Sequence, residues 1–375
     1  MKIVYCINGT YNSGGMERVL ANKANYLAGH GYDVTILTTD QRGQKPYFPL
    51  DPAIRCVDLD VNYEENNGAS IINKIVNFPR KQRLHRKRLT DELNRIKPDI
   101  TISMFCNDAS FLYKIKDGSK KLLEIHFCKY KRLQYGRKGL WALADRLRSL
   151  QDSRIVARYD SFVTLTHEDK MLWGNLKNST AIPNAQTFIC DKPSSLDSKV
   201  VLAVGRYTYQ KGFDLLLEAW TKVCEEVKDW TLKIVGDGEW HDKLAEQVTV
   251  LGIADRVNLC HATKDIIEEY RNASILVMSS RYEGFGMVLL EAQSAGLPTI
   301  SFDCKCGPSE IIRDNVNGYL VPVGDVAMLA DRLTDLIKDE DKRNRMGKQS
   351  YIDANNFSED RIMAKWESLF ADLCK

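Results

Sequence analysis

The chain has 375 residues, a formal net charge of +3 and a hydrophobic content of 44%. At about 100–200 residues per domain, this length predicts two compact domains, and the near-neutral charge gives no reason to expect a nucleic-acid-binding protein. The first residues, MKIVYCINGT, do not form a secretory signal, and no apolar stretch reaches the ~20 residues of a membrane span. We therefore expect a cytoplasmic protein whose only membrane contact is peripheral, on the inner face of the cell membrane.

Strand and helix patterns alternate along the first half of the chain. The apolar run IVYCIN is followed by a helical pattern over Met16–Leu27 and then by the strand DVTILTT. The later runs DITISMF, KLLEIHF and SFVTLT are almost continuously apolar, as expected for parallel strands covered by helices on both faces. Residues 1–186 are thus predicted to form a doubly wound, Rossmann-like α/β domain.

A second series of strands follows the polar segment QTFICDKPSSLDSK, which has the composition of an interdomain linker. Its predicted strands are VVLAVGR, TLKIVGDG, RVNLC, SILVMSS, LPTISFD and GYLVP. Residues 187–356 therefore predict a second Rossmann-like domain. The remaining residues, 357–375, predict a helix that begins at the N-cap Ser358. Its apolar face comprises Ile362, Trp366, Leu369, Phe370 and Leu373.

Two cations follow the first strand of the second domain. Arg206 ends VVLAVGR, and Lys211 lies five residues later, before a helix predicted from Phe213. Ligands of open α/β sheets bind at the carboxyl ends of the strands, so both side chains are expected at one crevice. A guanidinium fork and a mobile ammonium suit a diphosphate and can neutralise it without a metal ion. The alternative interpretation is a solvated loop.

A glycine-rich turn connects the strand SILVMSS to a helix predicted from Met287 to Ala295. The turn contains Glu283, Gly284, Phe285 and Gly286. Its glycines let the backbone approach a phosphate, and the helix start offers unpaired N–H groups. Glu291, about five residues into the helix and ~7 Å from that anion site, suits a ribose diol. Glu283 precedes the helix and is expected to point towards a transferred sugar. Without the turn, each glutamate would be interpreted as a solvated surface residue.

These motifs, in this order, resemble those of the retaining family 4 glycosyltransferases, whose signature E-x7-E corresponds here to Glu283 and Glu291. The resemblance covers essentially the whole chain and extends to Gly14-Gly15-Met16-Glu17-Arg18, Ile182-Pro183-Asn184-Ala185, Gly205-Arg206 with Lys211-Gly212, Gly236-Asp237-Gly238 and Asn317-Gly318. It implies the GT-B fold, in which two Rossmann-like domains face each other across a cleft. It also implies that the last helix crosses back to the first domain.

The resemblance implies a role for each site residue. Arg206 and Lys211 would hold the donor diphosphate, Glu291 the ribose and Glu283 the donor sugar. The catalytic set is His126, Arg206, Lys211 and Glu283. The donor-binding set is Gly14, Gly15, Arg206, Lys211, Glu283, Gly284, Phe285, Gly286, Met287, Val288 and Glu291. For His126, at the end of the strand KLLEIHF, a structural histidine is the alternative interpretation, and a lone Gly14-Gly15 pair is weak evidence by itself.

The functional hypothesis is retaining transfer of a hexose or N-acetylhexosamine from a nucleoside diphosphate sugar to a glycan or lipid-linked acceptor of cell-surface polysaccharide. Residues 301–311 resemble the corresponding loop of transferases that use UDP-sugars. No cofactor or metal is expected. The D-x-D pair Asp58 and Asp60 is far in sequence from the donor residues, and Cys304 and Cys306 supply too few ligands for a metal site. The alternatives are a sugar-nucleotide hydrolase or epimerase and a non-catalytic sugar-nucleotide-binding protein.

Two basic segments suggest a membrane partner. Residues 74–88 contain several Lys and Arg and no acid, and residues 129–137 are basic with interleaved tyrosines. Each basic side chain near an anionic bilayer contributes about 1 kcal/mol. Peripheral contact with anionic lipid is therefore one interpretation, and a solvated helical face is the other.

Overall fold

The computed structural model describes residues 1–66, 71–130 and 139–375. The chain divides into two compact units: unit 1 contains Met1–Pro183 and Ile362–Lys375, and unit 2 contains Asn184–Arg361. The predicted boundaries, after residues 186 and 356, lie close to these divisions. Among the described residues, no helix has both the length and the apolar character needed to cross a bilayer.

Unit 1 is an α/β domain. Its strands are β1 Lys2–Ile7, β2 Asp33–Thr38, β3 Arg55–Asp58, β4 Ile100–Ser103, β5 Lys120–Glu124, β6 Ser161–Thr164 and β7 Ser179–Ala181. Its helices within the described ranges are α1 Gly15–Gly29, α2 Ile71–Ile96, α3 Leu140–Val156 and α4 His167–Leu172. The terminal helix, α12 in chain order, is Glu359–Cys374 and belongs to unit 1 from Ile362 onwards. The strands form one parallel sheet in the order β3-β2-β1-β4-β5-β6-β7.

The terminal helix α12 packs within unit 1. Ile362, Trp366 and Phe370 are almost fully buried. The Nζ atom of Lys23 lies 3.7 Å from the centroid of the Trp366 ring, and this cation–π contact is formed between two buried side chains. Three of the five residues of the predicted apolar face are therefore buried, Leu369 and Leu373 are half-buried, and Met363, which was not predicted, is buried as well.

Unit 2 is the second α/β domain. Its strands are β8 Val200–Val204, β9 Thr231–Val235, β10 Val257–Cys260, β11 Ile275–Met278, β12 Thr299–Phe302 and β13 Gly318–Val321. Its helices are α5 Phe213–Glu226, α6 His241–Val250, α7 Ile266–Arg271, α8 Met287–Ser294, α9 Pro308–Ile311, α10 Val326–Lys338 and α11 Glu340–Ala354. The parallel sheet has the order β10-β9-β8-β11-β12-β13, so the order reverses between β8 and β11. Such a reversal opens a crevice at the carboxyl ends of the two strands.

The polar segment after Asn184 is packed into unit 2. The Ser194 amide donates to the Ala295 carbonyl at 2.8 Å, and the Ser194 hydroxyl donates to the Ala273 carbonyl at 2.6 Å. Cys190 is buried. The segment that was interpreted as an interdomain linker is therefore part of unit 2, which begins at Asn184, and its Ser194 is bonded to backbone carbonyls of that unit.

Candidate functional site

The loops that follow β8 and β11 are bonded to each other at the reversal of strand order. The Arg281 amide donates to the Gln210 carbonyl at 2.8 Å, and Gln210 Nε2 donates to the Tyr282 carbonyl at 3.0 Å. The Ser279 hydroxyl donates to the Lys211 carbonyl at 2.9 Å. Gln210 and Tyr282 are 72 residues apart in sequence. Two distant motifs thus form one site.

Lys211 and Glu283 meet at the centre of this site. Lys211 Nζ lies 2.7 Å from Glu283 Oε1, and the Ser280 hydroxyl donates to the same oxygen at 2.6 Å. The side chains are 16% and 9% exposed, respectively. A Cβ atom at Gly205 would lie 3.0 Å from Lys211 Cε, so the missing side chain there leaves room for the lysine stem. An ammonium has three donors, and Lys211 can therefore contact Glu283 and a phosphate oxygen together.

Gly212 is predicted to be the least replaceable glycine of this site. Its φ is +62°, and an added Cβ would lie 2.1 Å from the Ser279 carbonyl oxygen. Gly252 has a similar φ of +67° but nothing within 4 Å of its Cβ position. Thermal unfolding should therefore show Gly212→Ala destabilised by at least about 2 kcal/mol more than Gly252→Ala, because only the first adds a backbone clash to the φ strain. Equal losses would mean that the loop moves freely away from Ser279.

The neighbouring arginines have different environments. Arg206 is exposed, and its side chain makes no ion pair with the residues that the structure describes. Arg281 instead forms a bidentate pair with Asp214 at 2.9 and 2.7 Å, and its guanidinium lies 4.2 Å from the Tyr209 ring centroid. Arg281 thus fixes the loop, while Arg206 remains able to bind an external anion.

The start of α8 is open to an anion. Gly286, with φ +90°, is the N-cap and supplies no side-chain hydrogen bond to the helix. The first N–H groups of the helix, at Met287 and Val288, therefore meet the conditions for binding a phosphate. Phe285 is buried, and its carbonyl oxygen lies where a Cβ on Gly307 would clash at 2.3 Å. Close packing of these two loops holds the turn of Gly284 to Gly286 in place.

Glu291 lies inside the unit rather than on its surface. Its side chain is buried, Oε1 accepts from the Thr187 hydroxyl at 2.9 Å, and Oε2 accepts from the Tyr270 hydroxyl at 2.7 Å. Glu283 affects a neighbouring thiol: burial of Cys304, and then the negative charge of Glu283, raise the pKa of the Cys304 thiol well above its usual value. Both glutamates are thus buried and hydrogen-bonded, which excludes the interpretation of each as a solvated surface residue.

Ser280, Thr187 and Tyr270 were not singled out by the sequence analysis. Ser280 could have been considered because it stands three residues before Glu283. Thr187 lies in the segment interpreted as a linker, and Tyr270 is an ordinary apolar position of α7 by its pattern. Neither carries a sequence signal that points to Glu291.

The remaining predicted residues lie in unit 1, at the carboxyl ends of its strands. Gly14 is the N-cap of α1, and an added Cβ would lie 2.2 Å from Glu17 Oε2, so the acidic first turn of the helix packs against it. Gly15 has nothing within 4 Å of its Cβ position. Their contact with a donor phosphate stays a prediction.

His126 is largely buried beside an ion pair. Its Nε2 lies 3.0 Å from Glu124 Oε1, and both Glu124 oxygens accept from Lys23 at 2.5 and 2.6 Å. Burial alone would raise the pKa of Glu124, but the charges of Lys23 and His126 lower it to about 2. Burial also lowers the pKa of Lys23, against the opposing effect of Glu124. The histidine therefore faces a charged carboxylate, and its contact with a donor sugar stays a prediction.

The D-x-D pair of unit 1 is engaged locally. Asp58 Oδ1 accepts from the Thr38 hydroxyl and from the Asp60 amide, both at 3.1 Å. Asp60 Oδ1 accepts from Asn62 at 2.5 Å. These bonds give both carboxylates a role in ending β3.

Comparisons with known proteins show the family of this chain. The family described as Glycosyl transferases group 1 matches residues 186–353. An uncharacterised glycosyltransferase of Haemophilus influenzae is 30% identical over 375 residues, covering 98% of this chain and 99% of that protein. The amylovoran biosynthesis glycosyltransferase AmsD of Erwinia amylovora is 29% identical over 393 residues, covering 98% of this chain and 99% of that protein.

The fold has counterparts among solved structures. The pneumococcal O-GlcNAc transferase GtfA, solved in complex with UDP and GlcNAc, aligns with a TM-score of 0.79 and 16% identity over 100% of this chain and 99% of that one. A likeness at this level of identity concerns the fold. The predicted α/β class with two parallel-sheet, Rossmann-like domains is thereby confirmed.

Proposed function

The chain belongs to the glycosyl transferases of group 1, and from that premise we propose a specific reaction. The enzyme transfers a hexose or N-acetylhexosamine from a nucleoside diphosphate sugar to a glycan or lipid-linked acceptor, with retention of anomeric configuration as in family 4. The observation that carries the proposal is the contact of Lys211 with Glu283 at 2.7 Å, beside the uncapped start of α8. A cation, a sugar-orienting carboxylate and a phosphate-binding helix end stand together there.

Each residue of unit 2 then has one task. Glu291 accepts the hydroxyls of the ribose. Arg206, Lys211 and the amides from Gly286 to Val288 bind the diphosphate and stabilise the charge that it gains. Glu283 orients the sugar through its hydroxyls. His126 of unit 1 contacts the donor sugar, and Gly14-Gly15 contact the donor phosphate.

The bond changes balance without an enzymic nucleophile. The bond between the anomeric carbon and the diphosphate oxygen breaks, and the acceptor hydroxyl oxygen forms the new glycosidic bond on the same face of the sugar. The hydroxyl proton passes to the departing phosphate oxygen. The protein therefore contributes mainly positioning and electrostatic stabilisation.

Two similar proteins support a UDP-sugar donor and a role in polysaccharide synthesis. GtfA is solved with UDP and GlcNAc, and AmsD is named for amylovoran biosynthesis. On this basis we propose a UDP-sugar donor and a role in the synthesis of a surface polysaccharide.

Product analysis tests the transferase against its rivals. UDP-glucose, UDP-galactose and their N-acetylhexosamine counterparts are incubated with the full chain, with and without a lipid-linked acceptor. Donor consumption that requires the acceptor supports transfer. Consumption without acceptor indicates a hydrolase or epimerase, and UDP binding without turnover indicates a binding protein.

A chelator should leave the reaction unchanged. Because Arg206 and Lys211 supply the positive charge at the diphosphate, turnover in excess EDTA is expected to stay within about twofold of the untreated rate. A loss that added Mg²⁺ or Mn²⁺ restores would contradict the proposed metal independence.

A further inference from the structure

One helix of unit 1 exposes an aligned set of leucines. In α3, Leu143, Leu147 and Leu150 are 55%, 59% and 61% exposed, whereas Ile155 and Val156 on the same helix are buried. The spacing i, i+4, i+7 places the three leucines on one stripe of the helix. Several large apolar side chains exposed in a row indicate a surface that meets a partner.

The same stripe continues into a cluster of cations. Arg154 lies four residues after Leu150, and Arg158 follows the end of the helix. Together with Lys114 these arginines line a surface cavity of about 380 Å³, and no acidic side chain among the described residues lines it. Within the described part of the chain, none of the three cations forms an ion pair. The cavity therefore has the size and the charge for an anionic group.

A basic helix lies next to this cavity. Ser110 lines the cavity and is within 3.5 Å of Gln82 of α2, whose Nε2 donates to the Asn107 carbonyl at 3.0 Å. The inner sides of α2 and α3 pack into one hydrophobic core. The outer side of α2 exposes both charged and apolar side chains, namely Arg80, Arg83, Arg86, Lys87 and Leu84.

The structure describes only part of the two basic segments named from the sequence. Residues 131–138 lie outside the described residues, as do the side chains of residues 71–76 in α2. Lys129 donates to the Leu172 carbonyl at 2.7 Å, so its ammonium is turned to the protein.

We propose that this surface, formed by α3, the cavity of Lys114, Arg154 and Arg158, and the outer side of α2, docks on an anionic lipid bilayer. Leu143, Leu147 and Leu150 enter the boundary between headgroups and acyl chains, and the cavity binds a lipid phosphate. A stripe of exposed leucines next to a cluster of cations is the combination that stabilises a helix lying in a membrane interface. The proposal does not depend on the donor or on the chemistry of unit 2, so it can fail while the proposed transferase activity stands.

The test is co-sedimentation of the full chain with vesicles. Vesicles of equal parts phosphatidylcholine and phosphatidylglycerol should bind the protein, vesicles of phosphatidylcholine alone should bind at least about tenfold less, and added salt should weaken binding. A double variant, Leu147→Ser with Leu150→Ser, should lower the partition coefficient at least about tenfold. The double variant Arg154→Gln with Arg158→Gln should lower the ratio of binding to mixed vesicles over binding to phosphatidylcholine vesicles at least about tenfold.

A matched control is available on another helix of unit 1. Met171 in α4 is 74% exposed and lies outside the surface, so Met171→Ser should bind vesicles like the natural chain. Equal unfolding midpoints of the variants exclude misfolding as the cause of a loss. Unchanged partition of the leucine variant would overturn the proposal. The proposal would also fail if light scattering showed a dimer for the natural chain and a monomer for the leucine variant, because the leucines would then form a subunit interface. It would fail as well if inorganic phosphate stabilised the chain while vesicles did not bind it.

Discussion

Lys211→Ala is expected to lower turnover about 100- to 1,000-fold while the protein stays folded, which is the usual effect of removing one charge-stabilising donor. The ammonium lies 2.7 Å from Glu283 and is mostly shielded from water, so no mobile solvent cation can take its place with the same geometry. Steady-state rates with a saturating UDP-sugar and acceptor measure the effect, and an unchanged unfolding midpoint in the absence of donor shows that the fold persists.

Lys338→Ala is the matched control for this variant. Lys338 also belongs to unit 2 and pairs with a glutamate, Glu226, at 2.5 Å, but both side chains are more than half exposed. Exposed ion pairs contribute little, so this variant should retain its activity. If Lys211→Ala transfers sugar as fast as Lys338→Ala, the assignment of Lys211 to the diphosphate is wrong.

The sequence was most informative where strands are buried on both faces. All six predicted strands of unit 2 are present, and α8 was predicted as Met287–Ala295 and is observed as Met287–Ser294. Buried parallel strands need continuous apolar residues, which a sequence displays directly. The edge strands β3 and β7 were not predicted, because their half-exposed residues, RCVD and STA, form no apolar run.

The contacts that complete the site were harder to predict because they join distant segments. The E-x7-E spacing identified Glu283 and Glu291, and the position after β8 identified Lys211. Nothing local in the sequence connects Thr187 or Tyr270 to Glu291, since that contact depends on how two loops and a helix pack. The polar composition of residues 186–199 favoured a linker, because composition cannot distinguish a solvated segment from one that is bonded to the backbone of a domain.

Glu283 and Glu291 are expected to differ in kinetics although both are buried carboxylates. Glu291→Ala should raise the KM for the donor at least about tenfold with a smaller effect on kcat, because ribose binding is the same in the ground state and the transition state. Glu283→Ala should mainly lower kcat, because it removes orientation of the sugar and leaves Lys211 without its partner. Initial rates over a range of UDP-sugar concentrations separate the two effects.

Tyr270→Phe supplies the control for Glu291. It keeps the carboxylate but removes the hydroxyl that donates to Oε2 at 2.7 Å, so the donor KM should rise less than in Glu291→Ala. Thermal unfolding with UDP alone gives a second comparison. Glu291→Ala removes the carboxylate that binds the ribose, so UDP should stabilise this variant less, whereas UDP should stabilise Glu283→Ala as it stabilises the natural chain. If UDP binding were lost in Glu283→Ala and kept in Glu291→Ala, the assignment of the two roles would be wrong. Glu283 would then bind the ribose, and the donor would lie along α8 in the opposite direction.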